Sequence, residues 1–399
     1  MFVTGGEDHD FDEIATMHMF NKDFTWETNQ VGSTGRMSHD GLDSVLSSVL
    51  AVLGSGAYAE ELKSFITKAQ ASSETYGGFM IHFVNSLFKK YGLVIANMDD
   101  AGFKTKLLPF IIRDIEQKDS VRSVEADQDA IEAQGFKRQA HAREVNFFHM
   151  GKDRIRVIAE SDGSYSIGND TYTKDQLIAL ISEDPGSISP NVILRPVYQE
   201  IIMPNLAYIG GGGELAYWVE RKRLFDLWAL SFPMLIRRDS LHIVDKKTQK
   251  TLVSAQMDVM DLFQREEQLI GQYARLQSDE EIDLTEEKKA IEKTFNEIKE
   301  RASKIDPTLG KTTLSEASKA LKSLDYLQSK MLKAEKTKNE VGINKLKKAK
   351  QKLFPGNDGL QERYDNFIPF YLRYGSLWID EIIEHCDPLN KGFKILTEA

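Results

Sequence analysis

Residues 194–239 read LRPVYQEIIMPNLAYIGGGGELAYWVERKRLFDLWALSFPMLIRRD. Within this stretch, residues 206–209 form a short apolar run between a proline and four glycines, which is typical of a buried parallel strand. Residues 214–227 combine an apolar stripe with charged side chains and predict a helix. A second apolar run, residues 234–236, follows. A strand, a crossover helix and another strand predict a parallel pair and therefore a Rossmann-like α/β core.

The strand ends of this unit carry groups that suit anions. Ligands of open parallel sheets bind beyond the carboxyl ends of the strands. After the first strand come Gly210, Gly211, Gly212 and Gly213. Their missing side chains let a ligand approach backbone N–H groups at a helix N-terminus. After the second strand come Arg237 and Arg238. An anion site is one interpretation of this pattern, and a tight turn with solvated arginines is the other.

The composition limits the class of protein. The chain has 399 residues, of which 41% are hydrophobic and 28% are charged, and its formal net charge is -10. These values are typical of a soluble globular protein with more than one domain. The acidic balance argues against a broad nucleic-acid-binding surface. A single cysteine, Cys386, excludes a disulfide framework and a cysteine-rich metal site. No apolar stretch has the length of a membrane span, so the cytoplasm is the expected location.

The densest group of titratable side chains follows the first predicted strand, at residues 1–4. It consists of Glu7, Asp8, His9 and Asp10. Such a cluster can orient an amine, act as acid and base, or hold a divalent ion. We predict no metal, because neighbouring residues at a strand end point in different directions and their ligand atoms do not readily converge. The alternative is an acidic loop in which His9 bonds to a neighbour.

Helical patterns surround the predicted sheet. Residues 145–159 read as a β-hairpin, and residues 291–331 space apolar side chains by threes and fours, which predicts an antiparallel helical hairpin. The predicted fold class is α/β, with a Rossmann-like parallel sheet core, mostly helical inserts and a C-terminal antiparallel coiled-coil helical domain. The predicted segments are part of the Rossmann-like core in 1–37, a mostly helical insert with a small β-hairpin in 38–184, the core with its glycine turn in 185–250, a coiled-coil helical hairpin in 251–359, and C-terminal helices that pack on the body in 360–399.

Residues 330–352 are locally basic. A solvated helix face explains such a run, and a coiled coil that contacts RNA is the alternative.

Several separated motifs resemble one known family. They are EDHDF at residues 7–11, REVNFF at 143–148, PNVILRPVYQE at 190–200, PNLAYIGG at 204–211, ELAYW at 214–218, and LQER at 360–363 with Asn366 and Phe367. In this order they resemble the bacillithiol-biosynthesis cysteine-adding enzymes, the BshC family. The resemblance covers nearly the whole chain, and several motifs in a fixed order are more specific than any one of them.

The resemblance implies a ligase that adds L-cysteine to glucosamine–malate in the last step of bacillithiol biosynthesis. It also implies an adenine nucleotide, ATP or ADP, as a ligand, and a homodimer formed through the coiled coil. Chains of this family normally begin with a further Rossmann strand and helix, which we expect to be missing here. Gly212 stands where a proline is usual.

Forming an amide bond needs an activated acyl group, an unprotonated amine and stabilisation of negative charge. As a hypothesis, Glu7, Asp8, His9 and Asp10 orient or deprotonate the amine. The glycine N–H groups, Arg237 and Arg238 hold malate carboxylate or phosphate oxygens. The other predicted binding residues lie within the motifs and are Arg195, Asn205, Tyr208 and Glu214.

Two other functions fit the same residues. The first is an inactive or truncated dimerising scaffold that binds a nucleotide. The second is an RNA-contacting enzyme similar to synthetases or nucleotidyltransferases.

Overall fold

The computed structural model describes residues 2–20, 22–356, 359–361, 364, 367–390 and 392–398. The motif residues Glu362, Arg363 and Asn366 lie outside this part of the chain. The chain forms two compact units, Met1–Asp239 with Asp365–Gly392 and Ser240–Tyr364 with Phe393–Ala399. The division after Asp239 falls inside the predicted segment 185–250. Among the described residues, no helix is long and apolar enough to cross a membrane.

Groups of strands and groups of helices follow one another along the chain. The strands are β1 (Phe2–Val3), β2 (Thr16–Met19), β3 (Lys22–Thr25), β4 (Ile95–Ala96), β5 (Phe147–Met150), β6 (Arg154–Ala159), β7 (Tyr165–Ile167), β8 (Asp170–Tyr172), β9 (Ile188–Pro190), β10 (Ala207–Gly210), β11 (Met234–Arg237), β12 (Leu241–Val244) and β13 (Lys394–Thr397). The helices are α1 (Leu42–Val52), α2 (Ala57–Ala71), α3 (Tyr76–Phe88), α4 (Ala101–Gln117), α5 (Asp119–Glu132), α6 (Lys174–Glu183), α7 (Arg195–Ile202), α8 (Gly212–Val219), α9 (Lys222–Leu227), α10 (Lys246–Ala255), α11 (Glu266–Leu276), α12 (Thr285–Ile305), α13 (Pro307–Lys338), α14 (Glu340–Leu353), α15 (Phe367–Tyr374) and α16 (Leu377–His385).

The predicted strand–helix–strand unit is present. Strands β10 and β11 pair in parallel, and Gly210 lies opposite Arg237 in the register. The glycine turn and the two arginines therefore end neighbouring strands, as the sequence predicts. Strand β1 makes a separate parallel pair with β4. Among the described strands, β1 is not hydrogen-bonded to β10 or β11, so residues 7–10 and residues 237–238 do not end neighbouring strands.

The predicted helix at residues 214–227 is broken in two, and two of its charged residues lie at the break. Glu220 and Arg221, between α8 and α9, are fully buried. The Arg221 guanidinium contacts the Glu220 carboxylate at 3.0 Å and also donates to the Ile193 carbonyl oxygen. The other Glu220 oxygen accepts the Gln139 N–H at 2.6 Å. A buried charge needs such partners, and here they come from segments outside the helix.

The predicted β-hairpin is confirmed and belongs to a larger sheet. Strands β5 and β6 pair antiparallel within a five-stranded sheet of order β8-β7-β6-β5-β9. Strand β9 lies at the edge of the sheet and ends at Pro190. Proline has no backbone N–H, and at an edge its absence breaks no hydrogen bond between interior strands. The core behind this sheet joins it to α4, α6, α7 and α8 through Phe147, Val157, Leu107, Ile111, Leu177, Val197 and Trp218.

A second cluster of buried side chains packs α1, α2 and α3 against α15 and α16. Its members include Leu46, Leu62, Phe79, Tyr371 and Ile379. The Tyr371 hydroxyl donates to the Glu61 carboxylate at 3.0 Å. The described C-terminal helices are therefore part of the first unit.

The second unit contains the predicted helical hairpin. Helices α12 and α13 run antiparallel, since Lys288 near the start of α12 contacts Asp325 at 2.7 Å and Gln328 at 2.6 Å on α13. Near the tip, a Cβ added to Gly310 would lie 2.5 Å from the Ser303 hydroxyl, so the two helices approach closely there. Strands β12 and β13 pair in parallel.

One histidine of β12 is buried among aromatic rings. His242 is fully buried, and neither of its ring nitrogens has a hydrogen-bond partner among the described residues. Its ring centroid lies 4.7 Å from those of Phe354 and Phe393 and 5.7 Å from that of Phe263. Burial lowers the pKa of His242 to about 4, because the charged imidazolium would lose its hydration there.

We expect His242→Phe to make the protein more resistant to acid. In the wild type, the unfolded histidine takes up a proton near pH 6.5, whereas the folded one does so only near pH 4. Folding stability is therefore lost as the pH falls from 6.5 to 4, by about 3 kcal/mol at most. The phenylalanine variant does not have this loss.

Differential scanning calorimetry at pH 7.5 and pH 5 measures the effect. All four tryptophans lie in the first unit, so intrinsic fluorescence does not follow the unit that contains His242. His385→Phe, at an exposed position, is the control and should keep the wild-type dependence on pH. Equal acid sensitivity of wild type and His242→Phe would contradict the expectation.

Candidate functional site

The loop after β1 is held by close backbone contacts. Gly35 donates its N–H to the Gly6 carbonyl oxygen at 2.8 Å, and Thr34 donates to the Asp8 carbonyl oxygen at 2.7 Å. A Cβ added to Gly35 would lie 2.7 Å from Gly6 Cα, so this approach requires glycine. The loop therefore has a fixed backbone, which sets the direction of the predicted catalytic side chains.

Glu7 is the buried member of the predicted catalytic group. Its side chain has no exposed surface, and its two carboxylate oxygens face Lys104 Nζ at 3.0 Å and Arg195 Nη1 at 3.1 Å. Burial raises the pKa of Glu7, and the charges of Arg195 and Lys104 oppose that rise. In this structure Glu7 holds two cations and does not present its carboxylate to a substrate.

Lys104 and Asp99 extend this ion cluster. Lys104 is fully buried and also contacts Asp99 and the Gly186 carbonyl oxygen. Arg36 binds Asp99 through two hydrogen bonds of 2.6 and 2.8 Å. Burial alone would raise the pKa of Asp99, but Arg36 and Lys104 outweigh it and lower the pKa below its ordinary value. Three cations thus share two carboxylates, Glu7 and Asp99, which leaves the cluster positive.

His9, unlike Glu7, is exposed, and it lies beside the five-stranded sheet. Arg154 Nη1 is 2.9 Å from His9 Nδ1 and 3.4 Å from the Asp8 carboxylate. The Arg154 guanidinium stacks over the Phe148 ring at 3.9 Å. Asp8, His9 and Asp10 could each offer a ligand atom to one ion. Arg154 already brings a positive charge to this group, so we assign no metal to it.

One backbone N–H of the glycine turn is already hydrogen-bonded to a side chain of helix α8. The Glu214 carboxylate accepts the Gly211 N–H at 2.6 Å, and the Tyr208 hydroxyl donates to the same carboxylate at 3.3 Å. A Cβ added to Gly210 would lie 2.6 Å from the Tyr208 ring. At Gly212 and Gly213 an added Cβ would meet nothing within 4 Å. The open side of the turn is therefore at these last two glycines.

The other predicted binding residues have different surroundings. Arg237 and Arg238 are exposed, and the Arg238 N–H donates to the Gly210 carbonyl oxygen at 2.8 Å. Asn205 donates its backbone N–H and its side-chain amide to the buried Glu200 at 2.7 and 2.9 Å. Asn205 is thus engaged in its own turn, whereas the arginine side chains stand at the sheet edge.

Arg195 interacts with Glu7 and also acts electrostatically on Tyr217 of α8. Its charge lowers the pKa of Glu7 and also acts on Tyr217, whose pKa is raised by burial and by Glu214. The Arg195 side chain is 27% exposed, so it is not fully closed off from solvent.

Three of the sequence motifs meet at this point. Glu7 of EDHDF contacts Arg195 of PNVILRPVYQE, and Asn146 of REVNFF accepts the side-chain amide of Asn191 at 3.1 Å. A cavity of about 320 Å³ lies beside them and is lined by Ser33, Arg36 and Arg154, among others. The candidate site is this convergence of motifs around Glu7 and Arg195.

Sequence reasoning missed the partners that hold the predicted residues. These are Arg36, Asp99, Lys104, Phe148 and Arg154. Lys104 carried a usable signal, because it precedes Leu107, Ile111 and Ile115 on the buried stripe of α4. A lysine on such a stripe needs a buried anion. Nothing in the sequence pairs Arg154 with His9, since 145 positions separate them.

Comparison with known protein families gives two matches that together span the chain. Residues 1–239 match the family described as Bacillithiol biosynthesis BshC, N-terminal Rossmann-like domain. Residues 241–398 match Bacillithiol biosynthesis BshC, C-terminal coiled-coil domain. The boundary between the matches coincides with the division after Asp239, whereas residues 365–392 of the second match belong to the first compact unit.

Similar curated proteins carry the provisional name cysteine ligase BshC. One from Christiangramia forsetii is 34% identical over 397 residues, which cover 98% of this chain and 74% of that protein. One from Flavobacterium johnsoniae is 35% identical over 395 residues with the same coverage. One from a Geobacillus species is 26% identical over 407 residues, covering 96% and 74%.

We expect Lys104→Met to destabilise the first unit by about 3 to 5 kcal/mol, because it leaves the buried Glu7 with one cation instead of two. Urea unfolding followed by tryptophan fluorescence reports this unit. Lys106→Met, at an exposed position two residues along α4, is the matched control and should change little. Adding Glu7→Gln to Lys104→Met should recover part of the loss. Strict additivity of the two changes would argue against the ion pair.

Proposed function

This chain belongs to the bacillithiol-biosynthesis BshC family, and we propose that it joins L-cysteine to the glucosamine–malate conjugate as the last step of that pathway. Both family domains are matched, and the similar curated proteins are named as cysteine ligases. The observation that carries the proposal in the structure is the contact among three of the sequence motifs, through Glu7 with Arg195, Asn146 with Asn191 and His9 with Phe148. The comparisons give no support to a scaffold or to an RNA-contacting enzyme.

Arg195 is suited to bind a carboxylate or phosphate oxygen of a substrate. The buried Glu7 orients its guanidinium through Nη1, and the Arg195 side chain keeps 27% of its surface exposed. A guanidinium that is already oriented loses little side-chain freedom when it binds an anion. The positive excess of the ion cluster supports the same role, since negative charge develops on the acyl oxygen during amide formation.

The exposed side chains of Asp8, His9 and Asp10 can reach a substrate, whereas Glu7 cannot. We assign to these three residues the contacts with the reacting groups, which include the attacking amine and its proton and the acyl oxygen. The rigid backbone of the loop keeps them in place while the amine approaches.

An adenine nucleotide, ATP or ADP, is the proposed cofactor, as the resemblance implies. When bound, it would supply the activation that a free carboxylate lacks. The open N–H side of Gly212 and Gly213, next to Arg237 and Arg238, has the chemistry to hold its phosphates. Glu214 already uses the Gly211 N–H, so Gly210 and Gly211 contribute less than the sequence predicts. The cytoplasm remains the proposed location.

His9→Ala should lower the turnover number by about a hundredfold, because an exposed group that contacts the reacting atoms is removed. Purified protein is incubated with cysteine, glucosamine–malate and ATP, and the thiol product is measured by mass spectrometry. The matched control is His18→Ala, an exposed histidine on β2 that bonds to Asp23. Unchanged turnover in His9→Ala would refute the role of His9. Absence of product with the wild type would refute the ligase assignment.

We also propose a homodimer formed through the helical hairpin. Large apolar side chains are exposed along α12 and α13, including Ile298, Ile305, Leu309 and Leu314. The register set by Lys288 with Asp325 brings Ile298 and Leu314 to nearly the same level near the tip. Large apolar side chains exposed in this number favour a protein partner, and a second copy fits the heptad pattern.

Leu314→Glu should shift the protein from dimer to monomer, because it places a charge in the proposed apolar contact. Sedimentation velocity over a range of concentrations measures the shift. Ser315→Glu adds the same charge at the next, also exposed, position without removing apolar surface. A monomeric wild type, or equal effects of the two changes, would exclude this seam.

A further inference from the structure

Arg154 is the first residue of β6, and several contacts hold its side chain. Its side chain is 5% exposed. Nε donates to the Ser189 hydroxyl at 3.0 Å, and Nη2 lies 3.5 Å from the Pro190 carbonyl oxygen. The face of the guanidinium stacks on Phe148. The group therefore has one orientation, and its remaining nitrogen, Nη1, is aimed at His9.

The chemistry of this contact decides the state of the imidazole. A guanidinium in a protein stays protonated and has only donors. Arg154 Nη1 lies 2.9 Å from His9 Nδ1, which must then accept the hydrogen bond with its lone pair. A neutral imidazole whose Nδ1 accepts carries its proton on Nε2.

The Asp8 carboxylate could instead accept a hydrogen bond from a protonated His9 Nδ1, but this contact is weaker than the one with Arg154. Its carboxylate oxygen lies 3.3 Å from His9 Nδ1 and could accept a proton placed there. The same oxygen already accepts the His9 backbone N–H at 2.8 Å and lies 3.4 Å from Arg154. A proton on Nδ1 would face the N–H of Arg154 at the shorter distance, so the Arg154 contact prevails.

We propose that Arg154 is a positioning residue that fixes His9 as the Nε2–H tautomer, so that His9 offers a hydrogen-bond donor to the substrate. This inference rests on the proposed function and deepens it. His9 then stabilises an oxygen that becomes negative, and the proton of the attacking amine passes to the carboxylates of Asp8 or Asp10. The sequence-based hypothesis of His9 as a base is replaced by a donor role.

The tautomer is measured without any turnover. Full-length protein with ¹⁵N-labelled histidine is studied by long-range ¹H–¹⁵N correlation at pH 8, and His9→Gln identifies the His9 signals. We expect a protonated Nε2 and an unprotonated Nδ1 in the wild type. Arg154→Met should move His9 toward the Nδ1–H form that Asp8 favours. Arg156→Met is the matched control, because Arg156 also stacks on Phe148, at 4.6 Å, but has no contact with His9 among those described.

Activity gives a second, separate readout. Arg154→Met should lower kcat about ten- to a hundredfold with a smaller change in KM, and Arg154→Lys should recover part of it. His9→Gln, which keeps a donor, should retain more activity than His9→Ala. If Arg154→Met does not fold, Ser189→Ala removes one anchor and should weaken the tautomer preference.

Two results would overturn the inference. One is an Nδ1–H tautomer in the wild type, and the other is an unchanged His9 pattern in Arg154→Met. The expected tautomer in a protein whose His9→Ala variant has full activity would instead refute the proposed function of the site and leave the positioning by Arg154 intact.

Discussion

A fully buried carboxylate at residue 7 must be neutralised where it lies, and the first unit depends on this constraint. Removing an ion pair from water costs several kcal/mol for each charge, and the cost is offset only with close, well-oriented partners. Glu7 obtains them from the helices α4 and α7, which bring Lys104 and Arg195 from positions about a hundred and two hundred residues away. The ion pair therefore binds together three distant parts of the chain, and the same contacts orient Arg195.

The glycine turn is subject to a similar constraint, because its backbone N–H groups also need partners. An N–H at a helix N-terminus needs an acceptor, and Glu214 supplies one to Gly211 from within the helix. A second anion at that N–H would meet the Glu214 charge. A bound anion is more favourable at Gly212 and Gly213. The space beside these two glycines is open, and Arg237 and Arg238 lie at the same sheet edge. A ligand phosphate is therefore better placed toward the arginines than over the first two glycines.

The sequence predicts the elements of this fold better than the contacts of its site. The β10–α8–β11 unit and the helical hairpin follow from apolar periodicity, which is a local property. The partners of Glu7 and His9 depend on packing between segments far apart in sequence, and no local pattern records it. Glu220 and Arg221 show the same limit, because charged residues in a helical pattern are expected in water and here form a buried ion pair. Lys104 is an exception among the site residues, because its place on an apolar stripe of α4 indicates that it is buried.

Four neighbouring residues that look alike in sequence have different physical roles once the loop is folded. The close contact of Gly6 with Gly35 turns the Glu7 side chain inward, and the next three side chains face outward. The inward carboxylate is neutralised by cations and fixes Arg195, whereas the outward groups keep their access to solvent and substrate. Proton transfer needs accessible groups, and anion binding needs a rigid cation. One short loop supplies both, because the burial of its side chains changes sharply from residue 7 to residue 8.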